Sequence, residues 1–154
     1  MAGKRVLVPF NFTDYDERAL HYVMRTFAGE ERVFIMLFHM YTPLPELDGY
    51  SSPSLGRLRS TIASMWQEVR EKEKDLKRVK EDLVESGFLE SQIGYQSKPG
   101  TKSIGAEIVE TARKGDYNMV IISQNPRRAS RAFRRKVHDA LLSELVDTEI
   151  VIIT

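Results

Sequence analysis

The sequence has 154 residues, 42% hydrophobic and 29% charged, with a formal net charge of +1 and no cysteine. This balance fits one globular domain with a sizeable core, and it excludes a disordered or fibrous chain. The absence of cysteine excludes a disulfide framework, thiol catalysis and thiolate metal sites.

No stretch approaches the ~20 apolar residues that span a bilayer, and the apolar run Val6–Phe10 is too short for a signal peptide. A soluble, cytoplasmic protein is therefore expected. The charge is uneven. Residues 127–136 carry six cations and no acid, which leaves −5 on the rest of the chain. Electrostatic recognition should centre on that segment.

In chain order, residues 5–10 read as a short apolar strand. Thr13 caps the helix that follows, with Asp14, Asp16 and Glu17 favourably placed in its first turn. Ala19, Leu20, Val23, Met24 and Phe27 share one helical face, and Gly29 supplies the stop. The run Val33–Met40 is too continuous for a half-exposed strand and predicts one buried on both faces. Residues 41–56 are rich in Pro, Gly and Ser and predict a long loop.

A helix over about 57–86 carries Leu58, Ile62, Met65, Val69, Leu76, Val79 and Leu83 at 4-3 spacing, with Lys72 where an apolar residue is expected. Glu68/Lys72, Glu73/Lys77 and Arg78/Asp82 are spaced for i,i+4 pairing. A weaker strand over 92–98 leads through Gly100 into a helix with Ile104, Ile108, Val109 and Ala112. Asn118–Ser123 predicts another buried strand, a basic helix runs to about Leu145, and Glu149–Thr154 is a final strand.

Strands alternating with amphipathic helices predict right-handed crossovers and a mostly parallel sheet covered on both faces. Ligands bind such sheets beyond the carboxyl ends of the strands, where strand order reverses. The candidate loops are Pro9–Asp14 and Ser123–Arg128.

The second loop has no glycine, but Asn125 and Pro126 suit a helix start, and Arg127 and Arg128 add charge for an anion. A plain helix N-terminus with solvated arginines is the competing reading. The helical spacing of Arg127, Arg128, Arg131, Arg134 and Arg135 makes a cationic face, open to nucleic acid or an acidic partner. The run is short, holds one aromatic and sits in a near-neutral protein, which weighs against nucleic acid. His21, His39 and His138 have no partner at metal-ligand spacing, and no nucleophile-elbow pattern occurs. Nothing in the residues argues for catalysis.

The segment from Arg5 to Asp14, then Glu17–Leu20, resembles the opening of the universal stress protein family. Phe38–Met40, Gly100, Asn118–Ser123 and Ile150–Ile153 are similar to that family's later strands and its glycine after strand three. The ATP-binding members carry Gly-x2-Gly-x9-Gly-Ser/Thr after strand four. Those positions fall here on Ser123, Pro126, Lys136 and Val137.

Asn11 stands where the family usually has an acid, and Met40 lies near its adenine-contacting position. The chain is thus similar to the branch that does not bind ATP, and Lys136 remains available to another anion. The resemblance implies a single-domain, three-layer α/β sandwich with five parallel strands in the order 3-2-1-4-5. It further implies a regulatory protein without cofactor, an unidentified protein partner, and a homodimer through Ile150, Val151, Ile152 and Ile153.

Overall fold

Periodicity in the strands decides which residues meet which helices. The computed structural model describes residues 3–45, 56–124 and 131–154. The elements are β1 (Lys4–Pro9), α1 (Asp14–Phe27), β2 (Val33–Tyr41), α2 (Gly56–Glu85), β3 (Ile93–Pro99), α3 (Ile104–Lys114), β4 (Met119–Ser123), α4 (Arg131–Glu144) and β5 (Glu149–Ile153). The strands form one sheet in the order β3-β2-β1-β4-β5, every pair parallel.

Side chains alternate across a strand, so each strand feeds two cores. Val6, Val8, Ile35, Leu37, Ile93 and Ile121 face α1 and α2, where Ala19, Val23, Leu76 and Leu83 close over them. Leu7, Phe38, Val120 and Ile122 face α3 and α4 and meet Ile108, Ala112 and Leu141. Each fully buried aliphatic side chain here contributes about 1.5–3 kcal/mol.

A one-turn 3₁₀ segment, Glu90–Gln92, precedes β3. The buried Gln92 amide donates to the carbonyls of Glu30 and Val33, at 2.7 and 3.0 Å, which pins the start of β2.

The termini of α1 and α3 follow the sequence signals. Thr13 precedes α1, Gly29 takes a φ of +88° just beyond it, and Gly115 caps α3. The expectation for α2 needs two corrections. Its apolar stripe is not uniformly covered, because Leu58 is 45% and Met65 41% exposed. Thirty residues of helix run about 45 Å, whereas the nine residues of β2 run about 30 Å. The N-terminal part of α2 therefore overhangs the carboxyl edge of the sheet.

The expected i,i+4 pairs also fail to form. The ion pair on α2 joins Arg78 to Asp75, at 3.0 Å. Lys72 instead turns over the Phe12 ring, 5.7 Å from its centre.

Candidate functional site

The reversal of strand order lies between β1 and β4, which register at Val6↔Met119 and Leu7↔Val120. Beyond that point the two strand ends are joined by side chains. Asn11 donates from Nδ2 to the Ser123 carbonyl at 3.3 Å, and the buried Ser123 hydroxyl donates to Asp16 Oδ1 at 2.7 Å.

Asp16 is 2% exposed and accepts more than this one bond. Its oxygens also receive the amides of Asn11, at 3.2 Å, and Thr13, at 2.8 Å. One carboxylate thus holds the β1–α1 loop against the end of β4. Buried charge persists only when it is bonded in this way.

The same edge is filled toward β2. Phe10 continues the strand pairing through its amide to the Phe38 carbonyl, at 2.7 Å. His39 Nδ1 lies 3.0 Å from the Phe10 carbonyl, which can only accept, so Nδ1 carries the proton. Burial, supported by the nearby Lys72 charge and opposed by the Phe10 bond, holds the His39 pKa below its ordinary value.

Phe12 has a φ of +58°, the left-handed region that costs a side-chain-bearing residue roughly 1–2 kcal/mol. Its ring stands edge-on to both Phe10 and His39. A Cβ placed at Gly100 would fall 2.3 Å from Met40 Sδ, so the Met40 thioether occupies the space beside that glycine.

Of the residues singled out from sequence, Asn11 and Ser123 meet directly, while Met40 and Gly100 meet each other on the far side of β1. Asn125, Arg127 and Arg128 lie outside the described residues, as does the side chain of Lys136. Gln124, the last described residue of that loop, accepts through Oε1 from His138 Nε2 at 3.1 Å. Ile150, Val151 and Ile153 on β5 are half-buried, and Ile152 is 39% exposed. Among the described residues no three His, Asp or Glu side chains converge on a metal-sized space, and no helix is long and apolar enough to cross a membrane.

Two carboxylates escaped the sequence reading. Asp16 passed there for a first-turn helix acid. Glu107, 3% exposed, accepts from the amides of Thr101 and Lys102 and from Lys98 Nζ at 3.3 Å, and so fixes the turn from β3 into α3. The signal for each was an acid in the first turn of a helix, three to six residues after loop amides that need acceptors.

No protein-family model matches the sequence, and no curated protein matches it. Solved structures do. A universal stress protein family structure from Burkholderia pseudomallei aligns with a TM-score of 0.62 at 10% identity, covering 99% of this chain and 96% of the other. The universal stress protein from Archaeoglobus fulgidus, solved in complex with dAMP, aligns with 0.63 at 15% identity over 100% of both chains.

The chain has the universal stress protein fold. A further universal stress protein, solved in complex with cAMP, aligns with 0.61 at 15% identity, covering 100% of this chain and 98% of the other. The universal stress protein strand order, 3-2-1-4-5, is the one expected from the sequence and the one observed.

Proposed function

We propose that the chain is a stress-associated regulatory protein of the universal stress protein type, acting through interaction rather than turnover and not binding ATP. The bridge from Asn11 through Ser123 to Asp16 carries this reading. It spans the strand ends where a ligand of such a sheet would settle, and there the Ser123 hydroxyl and the Asp16 carboxylate are already bonded to each other. The sequence supports it further. Ser123, Pro126 and Lys136 stand at glycine positions, and Pro126 has no amide proton to offer a phosphate.

Mass spectrometry of gently purified protein tests the reading. We expect no adenosine triphosphate to travel with it, and a stoichiometric triphosphate would overturn it.

The complexes of two similar structures with dAMP and cAMP favour a second reading, in which the site takes an adenine mononucleotide. Arg127, Arg128 and Lys136 would then supply charge to its one phosphate. Retention of a monophosphate without a triphosphate would select this reading over the first.

The interaction we propose includes self-association through β5. That strand is one of the two sheet edges and leaves Ile152 partly bare between half-buried Val151 and Ile153. An apolar edge strand is a template for pairing unless it is covered. Light scattering should find a dimer for the natural protein and a monomer for Ile152→Lys. A monomeric natural protein at high concentration would rule the dimer out.

A further inference from the structure

The overhang of α2 creates a second place for a ligand, beyond the carboxyl end of β2. His39 and Tyr41 continue the alternation that turns Val33, Ile35 and Leu37 toward α1 and α2. A cavity of about 290 Å³ lies between these residues and α2. Met40, Tyr41, Leu44, Met65 and Val69 form its apolar walls, and His39 and Lys72 bring polar groups to it. Small-molecule sites set a few converging polar groups against apolar walls in this way, at the carboxyl ends of parallel strands.

The charges select the ligand. Lys72 interrupts the apolar stripe of α2 and pairs with no carboxylate among the described residues; it rests over Phe12 instead. Its ammonium is thus a cation at the cavity without an ionic partner there. Glu68 lines the same cavity and opposes a second negative charge on any occupant.

His39 has its proton on Nδ1, committed to Phe10, so Nε2 is left to accept. Beside it in register, on the same face, the Ser97 hydroxyl is buried without a hydrogen-bond partner among the described residues. A phosphate dianion, which calls for several converging donors, suits this lining poorly. A single carboxylate on an apolar body suits it well.

We infer that the cleft between the end of β2 and the overhanging half of α2 binds a small organic monocarboxylate, with Lys72 as its counter-charge and the Tyr41, Leu44, Met65 and Val69 walls around its apolar body. This inference does not rest on the reading of the β1–β4 site, since no residue of the Asn11–Ser123–Asp16 bridge lines the cleft.

The single tryptophan provides the readout. Trp66 donates to the Pro45 carbonyl at 2.9 Å and stands edge-on to Tyr41, which lines the cavity. The full chain is titrated with benzoate, 4-hydroxybenzoate and hexanoate, with their neutral amides and with inorganic phosphate. Trp66 fluorescence and calorimetry follow the binding.

At least one of the acids should bind saturably, about tenfold or more tighter than its amide and than phosphate, since loss of a paired charge is worth that much. Lys72→Met, an exposed helical position whose folding circular dichroism checks, should weaken the acid to the level of the amide. Val69→Phe, which fills the cleft, should abolish binding of both. Leu142→Ala, an exposed position on α4 across the sheet, should leave the affinity unchanged.

Three results would overturn the proposal: no acid binds, acid and amide bind alike, or phosphate alone binds.

Discussion

Replacing Asp16 with alanine is expected to cost about 2–4 kcal/mol of stability, the largest loss at any polar position described. The estimate follows from what the carboxylate leaves behind. The amides of Asn11 and Thr13 and the buried Ser123 hydroxyl would all lose their acceptor. An unsatisfied buried donor costs about 1–3 kcal/mol, and partial relaxation keeps the sum below full additivity.

For a domain of this size the loss corresponds to a fall in Tm of roughly 5–15 °C. Asp16→Asn should fall between the two, because one amide oxygen remains while the new NH₂ group faces loop amides that need an acceptor. Thermal and urea unfolding of the three proteins decide the matter. A change below about 1 kcal/mol for the alanine variant would mean that the bridge across the strand ends contributes little.

Glu107 is expected to show the second large effect, with a distinctive pH dependence. The Thr101 amide bond is the main influence holding its carboxyl below the ordinary value of 4.5, with Lys98 assisting and burial opposing. A depressed carboxylate stabilises the folded chain fully above its unfolded pKa. That contribution disappears as pH falls through the lower folded value.

Glu107→Gln should therefore cost about 1–3 kcal/mol near neutrality, the range for charge-assisted bonds. The difference from the natural protein should shrink steadily below pH ~4.5. A difference that stays constant from neutral to acidic pH would show that Glu107 acts as a packing residue and not as a charge.

The architecture was legible because it depends on local periodicity. Val33–Phe38 and Met119–Ile122 are apolar without interruption, and only a strand covered on both faces tolerates that composition. The tie that closes the β1–β4 site was not legible. Asp16 and Ser123 are 107 residues apart, and an acid in the first helical turn already has an ordinary explanation in the helix dipole.

The failed ion pairs on α2 have a similar cause. Spacing at i,i+4 permits Glu68 to meet Lys72, but it cannot register that Phe12, on another element, offers the ammonium a ring. Nor does a stripe of apolar residues reveal where the sheet beneath it ends. Leu58 and Met65 continue the pattern of Ile62 and Leu76, yet they stay 45% and 41% exposed. The break at Lys72 was the one sign in the sequence that this end of the helix does something other than cover a core.

Calorimetric titration with magnesium and adenosine triphosphate tests the account most directly. If the strand ends are bonded to each other, near-millimolar nucleotide should release no binding heat. Saturable, magnesium-dependent uptake of the triphosphate would contradict the account, because Asn11, Ser123 and Asp16 would then have to part to admit it.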